Sequence, residues 1–368
     1  MERAGAAPKP HDDFATTTRF HLVSRYADAV AVLKDSNTFS SALTPDGAEP
    51  RLLSELDPPD HGRIRRPMIN ALGRRTVDGI APFVRSQCRA IIDAWPRTGQ
   101  VDLVEDLAVP VLHQTITALV GIPDEDRDAV FGWAAELTYN PFDDADTART
   151  AQRHLDAYLQ QMLSTTTSHT VRENASTSFL AASRLERPAL TTDEIRVQLR
   201  SLIMSGYGAT IDLLSILLNK MIVEPGLWQS LNEDRSKLES LLAEALRFDA
   251  PAALLNRRCT VDTVLADKPV LAGDVAIIAI GLANHDPDIH DRPEVFDPLR
   301  PRPGLHLSFG AGPHTCPGIY LVKMIVGALV PALLDKSPLP PTVISCERGR
   351  GGDLFIKRGP VRLVVDMA

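Results

Sequence analysis

The chain has 368 residues, of which 44% are hydrophobic, and its formal net charge at pH 7 is −8. This composition is typical of a soluble globular protein with a sizeable core. Nothing in this balance suggests the basic footprint that nucleic-acid-binding proteins usually carry, so we expect no nucleic-acid partner, although an acidic total does not exclude a local basic patch.

Helical periodicity dominates most of the chain. Residues 1–18 read as a polar N-terminal tail, and "RFHLVSRYADAVAVL" (19–33) predicts a short strand that leads into a helix. Helical patterns cover 63–163 and again 192–248. The polar, Thr/Ser-rich stretch 164–178 between them is expected to be a loop.

The last third of the chain changes to short β-like runs, such as "VLAGDVAIIAI" (270–280) and "VRLVVDM" (361–367). No internal repeat is visible. The sequence therefore predicts a mainly α fold with small β-sheets, in which residues 19–368 form a single domain.

Cysteine usage and hydropathy indicate the compartment. The four cysteines lie far apart without a CxxC pair, which excludes zinc-finger spacing and a disulfide framework. The N-terminus has no apolar segment of signal-peptide length, and no window approaches 18 uninterrupted apolar residues. These features predict a cytoplasmic protein without a membrane span.

The segment "LHLSFGAGPHTCPGIYL" (305–321) carries the most specific pattern in the chain. Gly310 and Gly312 can adopt positive φ and allow a flat ligand to approach, and Pro317 suits the first turn of the apolar helix that follows. Cys316 would then lie at a helix N-terminus, where the dipole favours a thiolate and lowers its pKa. Such a thiolate suits an axial ligand of haem iron. The alternative is a buried structural cysteine in a Gly-rich turn.

The stretch "FGAGPHTCPG" resembles the haem-binding loop of the cytochrome P450 family, Phe-Gly-x-Gly-x-His-x-Cys-x-Gly. In the same order as in that family, "DPPDHGRIRR" resembles its His-x-x-x-Arg motif and "AEALRF" its Glu-x-x-Arg motif. "LANHDPDIHDRPEVFDPLRP" resembles the meander before the haem loop. The resemblance covers roughly residue 19 to the end, and soluble bacterial members are the nearest type. It rests on Phe309, Gly310, His314, Cys316 and Gly318 in the loop and on His61, Arg65, Glu244 and Arg247 in the shorter motifs.

The resemblance implies a P450 fold, with haem between a long central distal helix and the proximal Cys loop. It implies haem b as the cofactor, with Cys316 as the axial thiolate ligand. Histidine and arginine donors suit the two propionates of haem. The propionate contacts that the resemblance implies are His61, Arg65, Arg257 and His314.

The Glu-x-x-Arg motif implies a structural lock between Glu244 and Arg247 beside the meander. In many relatives an arginine of the meander completes this lock. Val295 stands at the aligned position of this chain. Either Arg292 or Arg300 therefore substitutes for that arginine, or the lock is simpler.

The distal helix departs from the family pattern Ala/Gly-Gly-x-Asp/Glu-Thr-Thr, because this chain has "SGYGAT". In the family, the acid–alcohol pair is associated with proton delivery to dioxygen, but Gly208 and Ala209 replace it here and cannot donate a proton. Thr210 is rotated by about 100° around the helix axis. Ser205 and Asp212 lie one turn from Ala209 and Gly208 respectively, so either could relay protons through water.

Two interpretations of this departure stay open. Gly208 and Ala209 could only make room for a large substrate, or the oxygen chemistry could be altered. Altered chemistry means substrate-assisted protonation, peroxide as the oxidant, or a redox-neutral reaction such as coupling, rearrangement or nitrene-type transfer.

We therefore expect a haem-thiolate oxidoreductase, monooxygenase-like, that oxidises a small organic molecule. Family analogy suggests a natural-product biosynthetic intermediate. The rival hypothesis is a catalytically silent scaffold that recruits a partner. Retention of His61, Arg65, His314 and Cys316 favours the enzyme, because a scaffold without haem does not need them.

Substrate contacts are expected from residues 42–56, 136–146 and 251–256 and from the distal helix near Tyr207. Members of this family usually receive electrons from a ferredoxin and its reductase, and we expect this chain to act as a monomer. A local basic patch could dock the ferredoxin, although ordinary solvated charges are the alternative. Its candidate residues are Arg63, Arg66, Arg74 and Arg75.

Overall fold

A computed structural model of the chain describes residues 18–43, 50–96, 99–139, 144–165, 174–302, 304–348 and 359–367. The helices in these ranges are α1 (Tyr26–Lys34), α2 (Asp60–Ala71), α3 (Arg74–Asp93), α4 (Val109–Val120), α5 (Arg127–Tyr139), α6 (Ala145–Thr165), α7 (Ala175–Ser183), α8 (Thr192–Val223), α9 (Leu227–Glu233), α10 (Leu238–Phe248), α11 (Ile280–Ala283) and α12 (Ile319–Lys336). Single turns of 3-10 helix lie at Leu53–Glu55, Asp124–Asp126, Arg235–Lys237 and Gly312–His314, and a π-helical turn lies at Val104–Ala108.

The strands form three small sheets. They are β1 (Phe20–Val23), β2 (Phe39–Ser40), β3 (Gly99–Asp102), β4 (Leu254–Cys259), β5 (Thr263–Leu265), β6 (Lys268–Val270), β7 (Val275–Ala279), β8 (Thr342–Arg348) and β9 (Pro360–Met367). The largest sheet has the order β1-β7-β4-β2, and its β1–β7 pair is parallel while its other pairs are antiparallel. The antiparallel sheets are β3-β9-β8 and β5-β6.

Helix α8 is the central helix of the fold, with 32 residues. It begins with a capping box, in which the Thr191 hydroxyl accepts the Glu194 N–H at 3.2 Å and the Glu194 carboxylate accepts the Thr191 N–H at 2.8 Å. Its second half is buried almost all round, as expected for a helix that other helices surround. The predicted helix start at Thr192 is confirmed.

Two hydrophobic clusters pack the molecule. The larger one gathers buried side chains from α2 to α10 and from α12, and the smaller one lies against the β1-β7-β4-β2 sheet. Each fully buried leucine or isoleucine contributes roughly 1.5–3 kcal/mol relative to an exposed one. The strand β4 and the Cys loop meet the helices where the two clusters adjoin.

Several predictions of secondary structure are confirmed, namely the strand and helix at 20–34, the end of the helical region at Phe248, and strands β7 and β9. Two details are wrong. Strand β3 interrupts the stretch that was expected to be helical, because its four residues pair with β9 near the other end of the chain. Helix α7 begins at Ala175, inside the expected loop, because Asn174 caps it. The expected tail lies outside the described residues, apart from its residue 18.

Two helical segments, Thr192–Val223 and Gly312–Lys336, are long and apolar enough to cross a bilayer by length and composition alone. In their most apolar windows, 72% and 56% of the residues are buried inside the protein. Burial of this kind is typical of the core helices of a globular fold.

Candidate active site

Two glycines and short backbone hydrogen bonds shape the Cys loop. Gly310 and Gly312 both have φ of +70°, which confirms the predicted positive φ. A Cβ on Gly312 would lie 2.6 Å from the Leu33 carbonyl oxygen of α1, so only glycine fits there. The Cys316 N–H donates to the Phe309 carbonyl at 2.8 Å, which closes the loop.

Cys316 precedes helix α12, which begins at Ile319 with Gly318 as its N-cap residue. Pro317 therefore lies before the helix and does not open its first turn as expected. Burial raises the pKa of the Cys316 thiol, while the Gly318 N–H, 3.3 Å from Sγ, and the Arg65 charge lower it. The prediction of a lowered pKa is wrong, because burial outweighs the nearby donors. A thiolate at this position calls for a bound cation.

Four basic side chains gather beside Cys316. They are His61 and Arg65 on α2, Arg257 on β4 and His314 in the Cys loop. Burial is the main cause that lowers the pKa of each, and it is reinforced at both histidines by the charges of neighbouring basic groups. The pKa of His314 falls to about 3.

The basic cluster has few anionic partners. Among the residues that the structure describes, Asp57 is the carboxylate whose charge opposes the shifts in pKa at His61, Arg257 and His314. The imidazole rings of His61 and His314 are 4.1 Å apart, and the buried Nε2 of His61 has no hydrogen-bond partner among the described residues. The cluster therefore has the charge and the free donors to hold an anionic group.

A cavity of about 480 Å³ opens above Cys316. Its walls come from α2, α8, β4 and the segments on either side of residues 44–49. The lining residues are Ser41, Leu43, Leu53, Ser54, Glu55, Arg65, Met68, Gln198, Ser201, Leu202, Ser205, Leu254, Leu255, Asn256, Arg257, His314, Cys316 and Pro317. Two of the expected substrate segments, 42–56 and 251–256, thus supply cavity walls.

The distal helix presents small side chains to this cavity. Ser205 lines it, and Ala209, one turn later on the same face, is exposed. Gly208, Thr210 and Asp212 are buried and do not belong to the lining. The structure therefore brings Ser205 to the cavity over the Cys loop, leaves Ala209 exposed, and buries the other three residues in the protein.

Tyr207 packs between helices and does not line the cavity. Its ring stacks near His113 of α4 and Phe131 of α5, with centroid distances of 5.7 and 6.0 Å. The distal helix near Tyr207 lines the cavity as expected, through Ser201, Leu202 and Ser205. Tyr207 itself points away from the cavity, because its position is rotated by about 200° from Ser205. In the segment 136–146, Leu137 is buried in the core, and residues 140–143 lie outside the described part of the chain.

The Glu-x-x-Arg motif forms a buried lock behind the Cys loop. Arg247 donates from Nε and Nη2 to the two Glu244 carboxylate oxygens, both at 2.8 Å. Arg300 adds a contact from Nε to Glu244 Oε2 at 3.3 Å, and both arginines donate to the Val295 carbonyl. The side chain of Arg292 is 66% exposed. Arg300 therefore completes the lock.

Asn284 connects this lock to the Cys loop. Its carbonyl accepts an Arg247 N–H at 3.0 Å, and its side-chain Oδ1 accepts the Leu307 N–H at 2.7 Å. Its Nδ2 donates to Ser308 Oγ at 2.9 Å, and that hydroxyl donates to the Leu246 carbonyl. Sequence reasoning missed Asn284, because no spacing rule singles out an asparagine whose partners lie on two other segments.

A family model described as Cytochrome P450 matches residues 14–337. The chain belongs to the cytochrome P450 family. It is 30% identical to the erythromycin C-12 hydroxylase of Saccharopolyspora erythraea over 82% of this chain and 78% of that protein. It is also 30% identical to the mycinamicin VIII C21 methyl hydroxylase of Micromonospora griseorubida over 86% of this chain and 82% of that protein.

Solved P450 structures share the fold. The hydroxylase HmtN, described as a post-tailoring hydroxylase of himastatin biosynthesis, superposes with a TM-score of 0.80 at 27% identity over 94% of this chain and 90% of that one. The predicted fold class is confirmed. The chain is accordingly a haem-thiolate oxidoreductase of the monooxygenase type, and its cofactor is haem.

The residues around the cavity fit haem. An excess of buried basic groups, with the unpartnered Nε2 of His61 among them, matches the two propionates of the cofactor. The thiol of Cys316, whose pKa burial raises, matches a ligand that a metal ion deprotonates.

The expected basic docking patch is smaller than the sequence suggests. Arg63 pairs with Glu194 and Arg66 pairs with Glu186, so helix contacts neutralise both charges. The Arg74 guanidinium lies 5.1 Å from the ring centroid of Tyr320, at the start of α12. Arg74 thus lies next to the helix that follows the Cys loop.

Proposed function

We propose that Cys316 is the axial ligand of the haem and that His61, Arg65, Arg257 and His314 hold its propionates. One observation carries this proposal, the convergence of Arg65, Arg257, His314 and Cys316 on one cavity beneath α8, with the His61 ring 4.1 Å from that of His314. Bound haem supplies the oxidising chemistry, and the chain supplies binding, orientation and electrostatics. Arg65 is oriented by its Nη2 hydrogen bond to the Thr315 carbonyl at 2.5 Å.

The proposed substrate is a small organic molecule, a natural-product biosynthetic intermediate. Two relatives are named as hydroxylases of erythromycin and mycinamicin. The cavity supports an uncharged or weakly polar substrate, because most of the surface that its walls expose is apolar, with five leucines and Met68 in the lining, while Ser54, Asn256 and Ser205 offer polar contacts.

Ser205 is the proposed proton-relay residue. Its hydroxyl donates to the Ser201 carbonyl at 2.6 Å, so its lone pairs stay available to a water or substrate hydroxyl in the cavity. The hydroxyl can donate its proton into the cavity when it gives up its hydrogen bond to the Ser201 carbonyl, and it can take a proton from water in return. Thr210 and Asp212 are buried away from the lining and are the weaker candidates.

A second candidate function is peroxide-driven or redox-neutral catalysis. It is favoured by Gly208 and Ala209, which remove the acid and the alcohol from the distal face.

In either case we propose a cytoplasmic monomer with a single haem domain over 19–368. For dioxygen chemistry we propose a ferredoxin and its reductase as the electron donors.

The test is the carbon-monoxide difference spectrum of the purified protein, reduced once by a ferredoxin system and once by dithionite. The far-red-shifted Soret band under both reductants supports the monooxygenase. The band with dithionite alone, in the presence of substrate as well as in its absence, favours the second candidate. No haem signal at all contradicts both and revives the scaffold hypothesis.

A further inference from the structure

Gln198 is fully buried in α8, two turns before Ser205, and its amide holds a segment far away in the chain. Its Oε1 accepts the Leu53 N–H at 2.8 Å, and its Nε2 donates to the Arg51 carbonyl at 2.8 Å. Both ends of the amide are therefore hydrogen-bonded to the backbone of residues 50–56, which we call the wall segment.

The two hydrogen bonds to Gln198 hold the wall segment against α8. Its own backbone bonds, from Glu55 N–H to Leu52 O and from Leu56 N–H to Leu53 O, only close one turn. Two hydrogen bonds that join its backbone to another element, at the Leu53 N–H and the Arg51 carbonyl, go to Gln198. A buried amide that lost these partners would be left without hydrogen bonds, which costs free energy and therefore favours this one position of the wall segment.

The hydrogen bonds of Gln198 to the wall segment lie at the cavity. Leu53, Ser54 and Glu55 of the wall segment line it opposite β4, and Gln198 itself contributes to the lining. The position of the wall relative to the distal helix therefore fixes the width of the space over Cys316. Any displacement of the wall segment changes which ligands fit.

We propose that Gln198 is a positioning residue that fixes the wall segment to the distal helix and thereby sets the size and access of the substrate cavity. The proposal rests on the proposed function, since it takes this cavity as the substrate site. It assigns to Gln198 an effect on large ligands, which reach the wall, and none on small ligands, which do not.

The first test compares two probes of different size, imidazole and phenylimidazole, by their spectral shifts on the ferric protein. In Gln198→Leu, phenylimidazole should bind about ten-fold more weakly, a change of the size expected for one or two lost buried hydrogen bonds. Imidazole should bind within about two-fold of wild type. Thr115→Val is the control, because it removes a buried hydroxyl that bonds only within α4, to the Val111 carbonyl.

A second pair of variants keeps the proposal testable if Gln198→Leu does not fold. Leu53 is the first residue of its turn and follows an extended Leu52 (φ −64°, ψ 149°), so proline fits the backbone there. Leu53→Pro and Leu53→Ala both shorten the side chain, but only the proline removes the N–H that Gln198 accepts. Phenylimidazole should bind more weakly to the proline variant than to the alanine variant.

Hydrogen exchange of the wall segment supplies a readout that needs no haem. Peptides covering 50–56 should exchange faster in Gln198→Leu and Leu53→Pro, while peptides of α12 stay unchanged. Unchanged exchange at 50–56, or equal phenylimidazole affinity in wild type and both variants, overturns the proposal. A wild-type protein that gives no spectral shift with imidazole would instead contradict the haem site, and hydrogen exchange would still decide the role of Gln198.

Discussion

The two sides of the haem cavity are built in different ways. On the proximal side, the buried carboxylate of Glu244 accepts hydrogen bonds from Arg247 and from the Asp297 N–H. Asn284 links this network to the Cys loop by accepting the Leu307 N–H. On the distal side, α8 presents Ser205 and Ala209 to open space, and the Ser205 hydroxyl bonds within its own helix. One side is defined by contacts and the other by space.

This difference separates two tasks. The proximal lock holds the Cys loop in one geometry, because its buried groups are costly to leave unpaired. The distal side can accept side-chain changes at small cost to the fold, because Ser205 and Ala209 are exposed. The distal side is therefore where the specific reaction of this chain is decided.

The largest expected effect comes from breaking the proximal lock. Arg247→Ala leaves the fully buried Glu244 without its bidentate partner and should lower the free energy of unfolding by about 3–5 kcal/mol. Urea unfolding measures this change. Lys323→Ala is the matched control, since its pair with Glu239 is solvent-exposed and should contribute less than about 1 kcal/mol. Equal effects in the two variants would contradict the division between the sides.

An effect of intermediate size is expected from removing one charge of the basic cluster. The change should not destabilise the haem-free protein, but it should weaken haem binding. Arg257→Met removes a charge that burial disfavours, so the haem-free protein should be no less stable than wild type. Haem affinity should fall by about 10–100-fold, since a charge-assisted hydrogen bond contributes about 1.5–3 kcal/mol.

Thermal unfolding of the haem-free protein and haem transfer to an acceptor protein measure the two effects of Arg257→Met. Arg258→Met provides the control, because alternate residues of β4 point to opposite faces. Haem affinity that falls equally in both variants would argue against a propionate contact from Arg257.

The smallest effect is expected on the distal side. Ser205→Ala should slow turnover by about ten-fold and raise peroxide release, less than the roughly 100-fold typical of a direct general acid, because water can replace the hydroxyl. Asp212→Asn should leave coupling unchanged, since Asp212 lies outside the cavity lining. The ratio of peroxide to product measures both. Coupling that is lost in Asp212→Asn and kept in Ser205→Ala would reverse the assignment.

Local patterns predicted the parts of the site that the chain builds from neighbouring residues. The positive φ of Gly310 and Gly312 follows from the loop motif, and the pairing of Glu244 with Arg247 follows from helical spacing. The choice between Arg292 and Arg300 could not be made, because it depends on the path of the meander around Glu244.

The remaining features depend on orientation and on distant partners. Which way Tyr207 points follows from how α8 is rotated against α4 and α5, and packing alone sets that rotation. The pKa of Cys316 was misjudged because burial cannot be seen from a helix start. Gln198 gave one usable signal, a polar residue two turns before Ser205 on the same helix face.

The central claim, that Cys316 holds the haem at the floor of this cavity, is tested most directly by the carbon-monoxide difference spectrum of Cys316→Ala beside that of Cys346→Ala. Cys346 is an exposed cysteine on β8 and serves as the control. We predict that the far-red-shifted Soret band disappears in Cys316→Ala and persists in Cys346→Ala. Persistence of the band without Cys316 would contradict the account.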